Sequence, residues 1–160
     1  MSSQLLIGQS SPVLEVWVRL LRGNAATRRA LSAQLHAEHE LTINDFECLL
    51  LLAHAEENSL RRVDLAEGLQ LTASGVTRLL DGLEHCGLVA KAKCDTDARV
   101  TYAVLTDEGR RKLEAAAPAH MAQVHALFTE RYTAEELGVL AELLSRLPGA
   151  ATVDQGTCTP

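Results

Sequence analysis

Apolar residues recur every three or four positions along most of this chain, and the breaks in that rhythm divide it into elements. Val13, Val16, Trp17, Leu20, Leu21, Leu31 and Leu35 predict a long first helix running to about His36, with Gly23-Asn24 loosening its middle. Ser11 is placed as its N-cap and Pro12 at its first position. Thr42, with Asp45 three residues on, caps a second helix striped by Ile43, Phe46, Leu49, Leu50 and Ala53. Glu56 to Ser59 form a polar connector. A short helix over about Arg62 to Leu69 turns Val63, Leu65, Ala66 and Leu69 inward, Gln70-Leu71 make a turn, and Thr72 caps a helix repeating Val76, Leu79, Leu80 and Leu83.

Gly87 ends that helix as a C-cap residue, and the period then changes. Val89 to Lys93 and Val100 to Leu105 read as two strands around the polar tip Asp95-Thr96-Asp97-Ala98. Strands this short survive only when packed against helices. Thr106 caps a long helix to about Phe128, in which Pro118 predicts a kink or break. Thr133, with Glu135-Glu136 in the first turn, opens a last helix ending near Leu147, before Pro148-Gly149. The fold class expected is mainly α: a winged helix-turn-helix with long N- and C-terminal helices and a small two- or three-stranded wing. Residues 11–41 and 107–147 are assigned to the long terminal helices, 42–106 to the winged lobe, and 1–10 and 148–160 to flexible termini.

Two crossed helices followed at once by a hairpin form a shape that puts one helix in a DNA major groove. Residues near the start of that helix reach base edges, so Ser74, Gly75, Thr77 and Arg78 are the candidates there. Thr72 and the helix N-terminus suit phosphate. In the hairpin, Lys91, Lys93 and Arg99 flank the tip, facing the adjacent minor groove, where an inserted Arg meets enhanced negative potential. Asp97 is placed to hold Arg99 by a charge-assisted pair. An ordinary amphipathic helix pair with a solvated face and a charged turn is the plainer reading of each half alone. The two in succession outweigh it.

Composition narrows the picture. The 160 residues are 47% apolar but only 3% aromatic, which favours helices packed on helices. A net charge of -6 argues against a polybasic coat for nucleic acid, though not against a local basic face. Between Ser59 and Thr106, Arg61, Arg62, Arg78, Lys91, Lys93 and Arg99 balance Asp64, Glu67, Asp81, Glu84, Asp95 and Asp97 one for one. The longest apolar run, Cys48 to Ala53, is too short for a bilayer, and the N-terminus lacks a signal-peptide pattern, so a cytoplasmic protein is expected. Cys48, Cys86, Cys94 and Cys158 include no CxxC pair, so neither a disulfide framework nor a zinc site is indicated, and no cofactor is expected. Without a Gly-rich nucleotide loop or a second domain, catalysis has no visible apparatus.

The stretches LAEGLQLTASGVTRLLDGLEHCGLVAKA and DARVTYAVLTDEGRRKLEAA resemble the multiple-antibiotic-resistance regulator (MarR) family of bacterial transcription factors, and the likeness covers about Val13 to Leu147. The second stretch matches the family's wing pattern: Asp-x-Arg, a strand ending in Leu-Thr, then a helix opening near a Gly. The resemblance implies a homodimer whose terminal helices intertwine, which makes 11–41 and 107–147 the dimerisation helices, and whose two winged motifs straddle a pseudo-palindrome in double-stranded promoter DNA. Such a protein is expected to be a ligand-responsive repressor. Two departures stand out. The tip CDTDAR is one residue shorter than the common pattern, and the first half of the recognition helix is small and weakly polar.

Val13, Val16, Leu20, Leu137, Leu140, Leu144 and Leu147 are candidates for the dimer base, or equally for intrachain core. Family members often bind a small anionic aromatic between base and lobe, and Trp17, Arg19, Arg22 and His36 could serve it from the first helix. Trp17 as plain core and the arginines as surface charges is the blander reading. The histidines 36, 39, 120 and 125 offer no chelating geometry beyond the His36–His39 spacing, and solvated rings are expected; no metal is assigned. Cys48 and Cys86 are expected to be buried and inert, leaving Cys94, near Lys91, Lys93 and Arg99, as the one thiol in a basic neighbourhood. The rivals are a winged-helix module that binds protein, and a metal- or thiol-responsive regulator of the same fold.

Overall fold

The computed structural model describes residues 11–93 and 100–150. The expected wing tip with Cys94, Asp97 and Arg99, and the segments 1–10 and 151–160, lie outside the described residues. The elements run α1 (Pro12–His39), α2 (Ile43–His54), a single 3₁₀ turn (Glu56–Asn58), β1 (Ser59–Arg61), α3 (Arg62–Gly68), α4 (Ala73–His85), β2 (Val89–Lys93), β3 (Thr101–Leu105), α5 (Asp107–Thr129) and α6 (Ala134–Ser145). The sheet is antiparallel in the order β1-β3-β2, with Leu60 opposite Ala103 and Lys91 opposite the same residue on the other side. This is the winged helix-turn-helix expected, with the wing three-stranded.

Local chemistry accounts for most boundaries. Thr42 Oγ1 accepts from the Asp45 N–H at 3.2 Å while the Asp45 carboxylate accepts from the Thr42 N–H at 2.7 Å, a reciprocal cap. Thr133 and Glu136 do the same for α6. Gly87, at φ 73°, supplies the left-handed residue that lets the Leu88 N–H return to the Leu83 carbonyl at 2.9 Å and stop α4. The core lies in the lobe: Phe46, Leu49 and Leu52 of α2 meet Leu65, Val76, Leu80 and Leu83, and Val89, Ala103 and Leu105 close it from the sheet. Leu35 of α1 and Leu113 and Ala116 of α5 tie the long helices to it.

Several local expectations are corrected. Ser11 makes no side-chain cap, and Pro12 alone marks the start of α1. The helix passes Gly23-Asn24 without interruption and ends at His39, where Glu40 turns left-handed (φ 55°). α5 continues through Pro118 as one helix; the i−4 carbonyl that loses its donor belongs to Glu114, an exposed residue on the open side of the helix. After α6, residues 148–150 form a turn closed by the Ala150 N–H on the Leu147 carbonyl at 3.1 Å. Cys86 is exposed, not buried, because it follows the last turn of α4 on its solvent side. His120 is buried rather than solvated, with its ring tilted against Phe46, the centroids 4.4 Å apart. Trp17, expected in the core, is 55% exposed.

Trp17 is not alone. Val13, Leu14, Val16, Val18 and Leu21 of α1 and Val139, Leu143, Leu144 and Leu147 in and after α6 are exposed, and α6 has no buried residue. Among the described residues no helix is long and apolar enough to cross a membrane.

Candidate nucleic-acid interface

The α3–α4 pair is held by a tight turn in which Leu71 N–H reaches the Ala66 carbonyl at 2.9 Å and Gln70 takes a positive φ of 52°. α4 buries Val76, Leu80 and Leu83, which leaves Ser74, Arg78, Asp81 and His85 on its open side. Thr72 Oγ1 accepts from the Gly75 N–H at 3.1 Å and lies 3.2 Å from Ser74 Oγ. The cap hydroxyl is thus spent on the helix, and what remains for an anion are the other first-turn N–H groups. Gly75 faces this cap: a Cβ there would sit 3.2 Å from Thr72 Oγ1, so its smallness serves the turn. Thr77 is half-buried and gives its hydroxyl proton to the Ala73 carbonyl at 2.8 Å. Of the four residues predicted to reach base edges, Ser74 and Arg78 are the exposed ones.

Charges on the lobe divide into spent and open. Arg61 makes a bidentate pair with Asp64, both bonds at 2.7 Å, which raises the Arg61 pKa and holds the Asp64 carboxyl below its ordinary range. Lys91 of β2 reaches back to α4, placing Nζ 2.5 Å from Asp81 and 2.8 Å from Glu84, and these bonds raise its pKa. Lys91, expected with Lys93 and Arg99 to flank the wing tip and face the minor groove, is thus held against α4 by these two acids. Arg62 and Arg78 have no ion pair among the described residues, and Lys93 is exposed at the end of β2.

The residues expected to hold an effector do not come together. Trp17, Arg19, Arg22 and His36 are all exposed. Helix rise separates Trp17 from His36 by about 28 Å, and Arg19 is paired with Glu15. A cleft of about 650 Å³ opens instead between Asn24 and Arg28 of α1, Asn44, Glu47 and Leu50 of α2, and Gly68 to Leu71 of the α3–α4 turn. Inside it, Arg28 is bidentate to Glu47 at 2.8 and 3.0 Å and reaches Asn44 Oδ1 at 2.8 Å. No periodicity marks this cleft, since each helix contributes one side. Among the described residues no three His, Cys, Asp or Glu side chains group for a metal. Cys48 is fully buried and its thiol is pushed up to about 12, mainly by desolvation, which makes it a poor nucleophile.

Comparison with known proteins adds what geometry alone does not. Residues 30–116, more than half of the chain, match the family described as transcriptional regulator SarA/Rot. The chain belongs to this MarR-like family of winged-helix transcriptional regulators. It is 33% identical over 107 residues to the HTH-type transcriptional repressor YetL of Bacillus subtilis, a match covering 67% of this chain and 64% of YetL, just under two thirds of that protein. Among solved structures, Sco5413, a MarR family regulator from Streptomyces coelicolor, superposes with a TM-score of 0.77 at 30% identity, covering 89% of this chain and 96% of Sco5413. Sco3205 from the same organism, solved in complex with DNA, gives 0.77 at 27% identity over 85% and 86%. This MarR-type regulator is thus a DNA-binding transcription factor whose relatives are regulators rather than enzymes. No pattern in the sequence singles out Arg62, the Arg28–Glu47 cleft or the Lys91 pairing. All three depend on contacts between elements distant in the chain.

Proposed function

We propose that this regulator is a homodimeric repressor that occupies a pseudo-palindromic operator and releases it when a small molecule binds. The observation that carries the reading is the contrast between a closed lobe core and the uncovered apolar surfaces of α1 and α6. A second copy of the chain, contributing the same surfaces, would bury them. In this reading residues 11–41 and 107–147 form the base and 42–106 the DNA-binding lobe, while 1–10 and 148–160 lie outside both. Ser74 and Arg78 address base edges, the first turn after Thr72 meets phosphate, and Lys93 with the Asp97–Arg99 segment follows the adjacent minor groove. Gly75 and Thr77 shape the α4 end rather than touch bases. Repression is supported by the likeness to YetL, which is named a repressor.

Both lobes must enter major grooves about one helical turn, roughly 34 Å, apart. Arg28 ties α1, in the base, to Glu47 and Asn44 of α2, in the lobe. A small anionic aromatic entering the cleft would compete with Glu47 for Arg28, loosening that tie and shifting the lobe separation. The test uses a duplex enriched from a random-sequence pool by the natural chain. Arg78→Ala should weaken binding at least tenfold, at about 1–3 kcal/mol per bidentate base contact, while sedimentation still reports a dimer. Unchanged affinity removes Arg78 from the interface, and a monomer at micromolar concentration removes the dimer.

A further inference from the structure

We propose that Arg62, on the helix preceding α4, is a further DNA contact that engages a backbone phosphate beside the half-site, and that Thr77 is its positioning residue. The proposal rests on the reading that α4 enters the major groove. Arg62 is exposed, and its Nη1 lies 3.5 Å from Thr77 Oγ1, so its guanidinium shares the face of α4 that carries Ser74 and Arg78. Its neighbours in the lobe are spent: Arg61 on Asp64, and Lys91 on Asp81 and Glu84. Arg62 has no ion pair among the described residues, and Thr77 is its one side-chain partner there.

The Thr77 hydroxyl is directional. Its proton goes to the Ala73 carbonyl at 2.8 Å, so the oxygen can only accept, and the donor it faces is Arg62. A hydroxyl committed in this way cannot donate to a base acceptor without leaving its helix bond. Its bond to Arg62, long at 3.5 Å, orients one nitrogen of the guanidinium and leaves the remaining N–H groups for phosphate oxygens, which a planar fork suits.

The duplex enriched by the natural chain is titrated by fluorescence anisotropy at several KCl concentrations, together with single base-pair variants of it. Arg62→Gln should flatten the slope of log K against log salt by about 0.9 for each phosphate it no longer neutralises, about 1.8 for two lobes, and weaken all duplex variants equally. Thr77→Val should move slope and affinity part of the way in the same direction, and Thr77→Ser should restore both. An unchanged slope in Arg62→Gln overturns the contact, and a loss concentrated at one base pair overturns its assignment to phosphate. Altered base preference in Thr77→Val at constant slope overturns the positioning role. If the natural chain enriches no duplex, the α4 reading fails and this proposal with it.

Discussion

Replacing Gly109 by alanine tests whether the wing is fastened to α5 as the structure shows. A Cβ on Gly109 would lie 2.1 Å from the Leu88 carbonyl oxygen, 3.0 Å from its carbon and 2.8 Å from Leu105 Cδ1. The first two are backbone atoms, which no rotamer change relieves. That carbonyl also accepts the Thr106 N–H at 3.2 Å, while Thr106 Oγ1 donates to the Gly87 carbonyl at 2.7 Å and caps α5 through the Gly109 N–H at 3.0 Å. Making room for a methyl therefore moves the strand start and the cap together. Overpacking at the severe end costs about 3 kcal/mol, and breaking a hydrogen bond about 1 kcal/mol. The helix preference of Ala over Gly returns at most about 1 kcal/mol. The net is a destabilisation of about 3 kcal/mol.

Gly82, midway along α4, provides the control. A Cβ there meets nothing within 4 Å, so Gly82→Ala should gain about 0.4–1 kcal/mol, chiefly through the unfolded chain. Urea unfolding followed by circular dichroism at one fixed protomer concentration reads both. With a slope of about 2 kcal/mol/M, Gly109→Ala should lower the midpoint by about 1.5 M, and Gly82→Ala should raise it by a few tenths. A Gly109→Ala midpoint equal to the parent's would refute the argument, since no such contact could then exist in solution.

Burial lowers the pKa of His120, opposed by the nearby Glu47 carboxylate that Arg28 holds. The folded chain thus prefers the neutral ring. Its contribution is intact above the unfolded value of about 6.5 and is lost as pH falls through that value toward the folded one. His120→Phe should flatten stability against pH in that window, and an unchanged acid limb refutes it. Trp17 is the single tryptophan, so a dimer that covers the α1 face should shield it. Acrylamide quenching should rise on dilution into the monomer, and concentration-independent, fully accessible emission counts against that face. Asp81→Asn with Glu84→Gln should free Lys91 for phosphate, raising affinity and steepening the salt slope by up to about 0.9 per lobe; an unchanged slope would mean that Lys91 does not face DNA.

The elements legible in the sequence carry their own signals. Thr42, Thr72, Thr106 and Thr133 each cap the helix that their spacing predicts, because an N-cap bond spans three residues. Gly87 is readable for the same reason, through the conformation that its own position requires. β1 leaves no mark because three residues cannot display a period of two. General tendencies of residue type place Trp17 and His120 in the wrong environments. Burial of a ring is decided by what packs on it, and for His120 that is Phe46, seventy-four positions away in the chain. Trp17 belongs to a face that the described residues of its own chain do not cover.

The largest gap between composition and site lies in the charges. A net charge of -6 and a motif with balanced acids and bases describe a poor ligand for a polyanion. Balance in number is not balance in place. Asp64 neutralises Arg61, and Asp81 and Glu84 neutralise Lys91, so the acids of α3 and α4 are largely consumed by cations that a tally of basic residues credits to DNA. Arg62 and Arg78 keep their charge toward the face of Ser74. Few open cations mean a shallow salt dependence and weak nonspecific attraction. On the proposed reading, discrimination then comes from Arg78, from the small side chains of the α4 end and from DNA shape. On that reading, an acidic regulator built this way would trade grip on arbitrary DNA for a higher ratio of specific to nonspecific binding, which is the quantity that decides occupancy in a genome.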